Sequence, residues 1–256
     1  MPRWNSLVSL FVRSKPYLAL LLWAGVPLLV SSEQHSLMGH DEGWYAQQAR
    51  WIVESGDWVT QQWWGEPIYD RAMGIQWAIA LAYTLFGISD RVARLPGVLA
   101  CFAAILLLYD IARRCVPERI AWFSAAILAA TPIWMQAGRL ATQDVPLTAI
   151  ELLGMWALVR AESHPECQAG WRWLAGTTFG LGFAVKSFMV VLAGVALLPY
   201  LVGERGRHRH LRSPALCVGL VMGFIPVAIW LGLSCDRYGT LPLEKPVRAS
   251  FSALAR

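Results

Sequence analysis

Residues 39–77 read GHDEGWYAQQARWIVESGDWVTQQWWGEPIYDRAMGIQW. Carboxylates, amides and tryptophans are dense here, and hydrophobic segments lie on both sides. Asp41 and Glu42 are followed at helical spacing by Tyr45, Ala49 and Ile52, which predicts a helix over 41–55. Gly56-Asp57 ends it. An aromatic-rich strip then runs to Asp70-Arg71. The following apolar run, Met73 to Ile88, is short for a bilayer crossing and contains Gly74 and Gln76. A polar insert of this kind is the expected seat of function, and the rest of the chain reads as a scaffold that holds it.

Composition identifies the scaffold. Of 256 residues, 56% are hydrophobic and only 15% charged, against roughly a quarter charged in a soluble domain. The 14 tryptophans suit interfacial belts better than one compact core. The class is an all-α polytopic membrane protein. The net charge of +5 does not indicate nucleic-acid binding, because the basic residues sit in short loops between apolar runs. Cys101, Cys115, Cys167, Cys217 and Cys235 have no redox or metal-knuckle spacing and read as small hydrophobic filler. Nothing after the first apolar run resembles a cleavage site, so that run is a retained span.

Charge sets the topology. Arg3, Arg13 and Lys15 precede the first span and place the N-terminus in the cytoplasm. Residues 31–72 hold only two basic residues, Arg50 and Arg71, against an excess of acids, and form an outer loop. Whether 72–88 crosses decides the side of every later loop. If it lies in the interface as an amphipathic helix, the basic loops 113–119, 160–172 and 204–212 all fall inside, as the positive-inside rule requires. If it crosses, all three fall outside. The non-crossing reading gives seven spans at about 16–32, 94–112, 118–136, 145–160, 171–185, 187–203 and 213–234. The outer loop, 33–93, then carries interfacial helices at about 41–55 and 72–88. Residues 235–256 form an outer tail. The glycines of 176–182 (GTTFGLG) fall within a span, where they allow close helix packing.

Several residues on the outer side can carry chemistry. Asp41 and Glu42 suit a helix start, where acids cap and oppose the dipole. They equally suit a carboxylate acting as general base at the membrane face. Arg139 and Asp144 lie at the outer junction of two spans, where snorkelling and capping are the plain alternatives. Lys186 interrupts an apolar stretch and is a functional candidate on that ground, unless it only marks a turn between helices. Arg71 pairs with Asp70 or binds a phosphate, which suits a planar guanidinium. No Walker loop, dinucleotide fingerprint or zinc-helix motif occurs. A divalent metal is left open: His40, Glu66 and Asp70 are ligands only if the fold gathers them.

In order along the chain, these features resemble the membrane glycosyltransferases that use polyprenyl-phosphate sugars. The closest are the aminoarabinose lipid A transferases and the protein O-mannosyltransferase-like proteins. The matching pieces are Asp41-Glu42-Gly43-Trp44-Tyr45, Gly56-Asp57-Trp58, Arg94-Leu95-Pro96, Arg113-Arg114, Arg139-Leu140-Ala141 with Asp144, and Lys186. The resemblance implies a GT-C-type seven-span module with two interfacial helices in its first outer loop, set in the bacterial inner membrane. It implies a polyprenyl-phosphate sugar donor, a lipid, glycan or protein acceptor, and no nucleotide. Asp41 would be the catalytic residue, with Glu42, Tyr45, Arg71, Arg139, Asp144 and Lys186 binding substrate. The sequence departs from the family where Tyr69 is followed by Asp70-Arg71 rather than Lys-Pro-Pro-Leu, and at Trp44, where Arg is frequent. Relatives of this kind are longer, which implies a truncated chain. A catalytically inactive fragment, or a non-enzymatic transporter or lipid-binding subunit, is the alternative.

Overall fold

The computed structural model describes residues 2–30, 36–38, 41–68, 71–203 and 207–239. His40, Asp70, Ser31-Ser32 and the expected tail beyond Gly239 lie outside the described residues. Helices dominate: α1 (Pro2–Val30), α2 (Asp41–Ser55), α3 (Gly74–Phe86), α4 (Asp90–Ala112), α5 (Glu118–Ala130), α6 (Pro132–Gly138), α7 (Asp144–Ser163), α8 (Gln168–Lys186), α9 (Val190–Gly203), α10 (His208–Leu211) and α11 (Pro214–Tyr238). A two-stranded hairpin, β1 (Gln61–Trp63) and β2 (Glu66–Ile68), lies between α2 and α3.

Among the described residues, three stretches are long and apolar enough to cross a membrane: Asp90–Ala112, Pro165–Gly203 and Pro214–Tyr238. The pair α5 and α6 passes the same test together but bends by 66° at its break. The stretch expected as a span over 118–136 is thus two helices with a bend between them. Pro132 opens α6, and a proline at that point removes the amide that would continue the first helix. The stretch Pro165–Gly203 is also interrupted. Ser187, at φ 48, stops α8, and α9 folds back beside it. Leu197 and Leu201 of α9 share a core with Ala175 of α8 and Leu158 of α7.

α8 and α11 pack backbone to backbone. Gly176 and Gly180 face Gly219 and Gly223, two small-residue pairs at four-residue spacing. A methyl added at Gly219 would lie 2.0 Å from the Trp173 carbonyl oxygen, and one at Gly176 would lie 2.1 Å from that of Leu216. The expectation that these glycines serve close packing holds.

α2 and α3 form a separate layer. Tyr45, Ala46, Ala49 and Ile52 of α2 are buried against Ile75, Ile79, Ala80 and Tyr83 of α3. The opposite side of α3 exposes Leu81, Leu85 and Phe86. With 13 residues α3 is about 20 Å long, short of the roughly 30 Å hydrocarbon layer.

The two ends of the bundle differ in charge. At one end the Tyr17 hydroxyl donates to Asp110 at 2.7 Å, Arg160 reaches Asp110 at 3.4 Å and Arg114 donates to Ser163 at 3.1 Å. Arg207 meets Glu162 at 3.0 Å, and Arg172 donates to His210 at 3.1 Å. The three basic loops and the Tyr17 end of α1 are thus neighbours at one end of the bundle. The polar insert sits at the other end. α11 anchors it there: the Trp230 indole donates to the Val59 carbonyl at 2.8 Å, and Arg237 pairs with Asp57.

Candidate active site

The first turn of α2 carries two acids with opposite surroundings. Asp41 is exposed, and its carboxylate has no hydrogen bond or ion pair among the described residues. Glu42 is buried. Its carboxylate accepts from Arg94 Nε at 3.0 Å and Nη2 at 3.3 Å, from the Ala141 amide at 2.9 Å and from the Met38 amide at 3.1 Å. Burial alone would push this carboxyl up. The Arg94 hydrogen bond and the two backbone amides outweigh burial and hold it below the usual carboxylate range. Glu42 therefore ties the start of α2 to α4 and to the loop before α7.

From that loop the contacts continue. Asp144, the first residue of α7, forms an ion pair with Lys186, the last of α8. Ser187 then accepts from the Ala72 amide at 3.4 Å. Gly74 lets α3 start against α8, since a methyl there would lie 2.5 Å from the Ala184 carbonyl. Next to Ala72, Arg71 donates through Nη1 to the Tyr45 hydroxyl at 2.6 Å, with its guanidinium 5.8 Å from the ring centre. The Arg71 carbonyl accepts from Gln61 at 3.0 Å. Tyr45 returns the chain of contacts to α2. Glu42, Asp144, Lys186, Arg71 and Tyr45 thus lie on one closed ring, with Asp41 exposed beside Glu42.

Arg139 is the exception. It donates to the Pro27 carbonyl of α1, and its Nε is buried without a partner among the described residues. Its link to the ring is through the backbone, since Ala141 lies two residues on. Arg94 is a site residue that sequence reasoning does not find. Its signal is a cation at the head of an apolar span, in Arg94-Leu95-Pro96. The hairpin is likewise absent from the sequence-based expectation. Its turn is Trp64-Gly65, at φ 53 and 83, and a tryptophan in a left-handed position is not a turn signature. Glu66 lies on β2, and no group of three or more potential metal ligands occurs among the described residues.

Beneath the ring runs an apolar cavity of about 930 Å³ between α3, α4, α7 and α8. Gly74, Pro146 and Val185 line it near the ring, and Asp110, Trp156 and Arg160 line its far end. Along α4 the lining extends from Pro96 to Asp110, about 21 Å of helix. Arg71 and Lys186 belong to the ring above one end, and Asp110 with Arg160 bounds the other; a long apolar groove between polar ends suits an amphiphile.

That combination defines a class: membrane-embedded helical proteins with a long apolar groove under a polar end. The chain belongs to the dolichyl-phosphate-mannose-protein mannosyltransferase family, whose model matches residues 70–232. It is 31% identical over 205 residues to the undecaprenyl phosphate-alpha-4-amino-4-deoxy-L-arabinose arabinosyl transferase of Pseudomonas aeruginosa, covering 78% of this chain and 37% of that protein. The Pseudomonas paraeruginosa transferase of the same name is 30% identical over 212 residues, with 80% and 38% covered. Among solved structures, that of ArnT from Cupriavidus metallidurans bound to undecaprenyl phosphate matches with a TM-score of 0.78 at 26% identity, covering 90% of this chain and 43% of that one. Its apo state matches at 0.73. The chain therefore spans under two fifths of the length of these two Pseudomonas relatives.

Proposed function

We propose that this chain is the membrane module of a glycosyltransferase that takes a sugar from polyprenyl phosphate and transfers it to a lipid acceptor in the outer leaflet. The observation that carries this reading is the ring of Glu42, Asp144, Lys186, Arg71 and Tyr45 above the apolar groove. The groove takes the isoprenoid chain, and Arg71 and Lys186 meet the phosphate. Arg139 opens the 139–144 loop that carries Asp144 to the ring, while its own guanidinium is bonded to the Pro27 carbonyl. The basic loops gathered at the opposite end support an inner-membrane orientation with the site outside and the N-terminus inside. With residues 73–88 in the interface, the module has seven crossings.

The chemistry needs few groups. A hydroxyl of the acceptor attacks the anomeric carbon of the donor sugar, and the bond from that carbon to the phosphate oxygen breaks. Asp41, exposed and without a protein partner among the described residues, accepts the hydroxyl proton. The electron pair leaves with the polyprenyl phosphate, whose developing charge Arg71 and Lys186 stabilise. Attack opposite the leaving group inverts the anomeric centre. Glu42 does not take part in proton transfer; its bonds hold Asp41 and the 139–144 loop in place.

The test uses undecaprenyl phosphate and a labelled lipid-linked sugar, with the protein in lipid nanodiscs. The lipid phosphate binds saturably. Asp41→Asn leaves that binding intact and abolishes transfer. Undiminished transfer by Asp41→Asn removes it from the mechanism, and absence of lipid-phosphate binding sinks the whole reading. Binding with no transfer even in the wild type supports the lipid-binding subunit instead.

A further inference from the structure

Beside the first turns of α2 lies a second cavity, of about 470 Å³, within the usual range for small-molecule sites of about 300–1,000 Å³. Its walls are indoles and amides: Trp51, Trp63, Trp64, Gln47 and Gln62. We propose that this cleft is a subsite for an uncharged sugar ring of the acceptor, a proposal that rests on the transferase reading above.

Three features support a carbohydrate. First, the aromatic walls are preset. Trp63 stacks on Trp44 with ring centres 4.2 Å apart and planes at 14°, and Trp64 stands nearly perpendicular to Trp63, at 86°. Trp64 is 90% exposed and is held at φ 53 by the hairpin turn. A bulky residue in this region is strained, and the strained turn displays the indole face. Indole faces suit the C–H faces of a sugar ring, a large contact area with little side-chain entropy to lose.

Second, the polar groups match hydroxyls. The side-chain amides of Gln47 and Gln62 make no hydrogen bond among the described residues. An amide both donates and accepts, as a hydroxyl requires. Third, among the described residues no charged side chain lines the cleft, so these walls offer nothing specific to a phosphate. The anionic part of the donor belongs with Arg71 and Lys186. Gly43, two residues beyond Asp41, borders the cleft. A sugar held there lies at the same end of α2 as the residue assigned as base.

The competing explanation for Trp64 is an indole anchored in the membrane interface. Binding of chitobiose, an uncharged disaccharide, to the protein in nanodiscs separates the two. Saturation-transfer NMR and tryptophan fluorescence are the readouts. Chitobiose should bind saturably, and Trp64→Gly, which suits the positive φ, should weaken it about five- to tenfold. Trp58→Ala, an exposed tryptophan outside the cleft, should leave it unchanged. Undecaprenyl phosphate should bind equally to all of these variants. The proposal is overturned if chitobiose does not bind, or binds Trp64→Gly as well as wild type. It is also overturned if brominated lipids quench Trp64 and chitobiose does not relieve the quenching. Chitobiose binding without lipid-phosphate binding upholds the sugar site while removing the transferase reading.

Discussion

Glu42 and Arg94 form an enclosed ion pair, Oε1 to Nε at 3.0 Å, with side chains only 1% and 6% exposed. They are 52 residues apart in sequence. The pair joins the interfacial layer to the helix bundle, so the position of Asp41 depends on it. Removing one partner leaves a buried charge. Glu42→Ala or Arg94→Ala should cost about 3–5 kcal/mol in unfolding measured in detergent. The apolar double variant Glu42→Leu with Arg94→Met should recover some of this. It should remain about 1–3 kcal/mol below wild type, because the buried Ala141 amide loses its acceptor. Single variants as stable as wild type would remove the pair from this role.

The same pair predicts an acid limb in the stability curve. The folded-state pKa of Glu42 lies below its ordinary value of 4.5. The unfolded chain therefore binds the proton first as pH falls. The stabilisation is complete above about pH 4.5 and is lost as pH falls through the folded value. Thermal midpoints taken from neutral to acid pH should decline below that point in the wild type. In Glu42→Gln the decline should be shallower. Identical curves would show that other carboxylates set the acid limb.

How far the sequence reveals this site depends on the range of each interaction. The α2 helix is legible to the residue, 41–55, because Tyr45, Ala49 and Ile52 share one face, and that face is the one buried. The Gly176 to Gly182 stretch is legible because small residues in an apolar helix have few other uses. The Glu42–Arg94 pair is not, since nothing local relates positions 52 residues apart. The Trp64-Gly65 turn is hidden by its own strain, as the usual residue for that φ is Asn or Gly. Pro132 is in plain view, yet a straight span is the natural expectation where the structure bends by 66°. Neighbouring helices satisfy a broken backbone in many spans, so proline alone does not announce a break.

The α8–α11 contact separates two glycines on the same helix. Gly219 faces the Trp173 carbonyl at 2.0 Å for an added methyl, whereas Gly232 has nothing within 4 Å. Gly219→Ala must push the α8 and α11 backbones apart, which costs about 1–3 kcal/mol or more. Gly232→Ala should be neutral or stabilise by about 0.5–1 kcal/mol, the usual gain of Ala over Gly in a helix. Denaturant midpoints of the two variants check this. Equal effects would mean that the contact at Gly219 is looser than the structure shows.

Arg71 decides between a surface pairing and a phosphate ligand. Its guanidinium bonds to the Tyr45 hydroxyl at 2.6 Å, which fixes its direction at the edge of the ring. A charge-assisted hydrogen bond to a partly desolvated phosphate contributes about 1.5–3 kcal/mol. Arg71→Gln should therefore raise the dissociation constant for undecaprenyl phosphate by roughly one to two orders of magnitude. Arg71→Lys keeps the charge and loses the bidentate fork, so its loss should be smaller. Tyr45→Phe removes the hydroxyl that orients the guanidinium and should weaken binding less than Arg71→Gln. An exposed ion pair with no lipid role would be worth under about 1 kcal/mol and would leave lipid binding unchanged. Equal affinity of wild type and Arg71→Gln in nanodiscs would assign the phosphate to Lys186 alone.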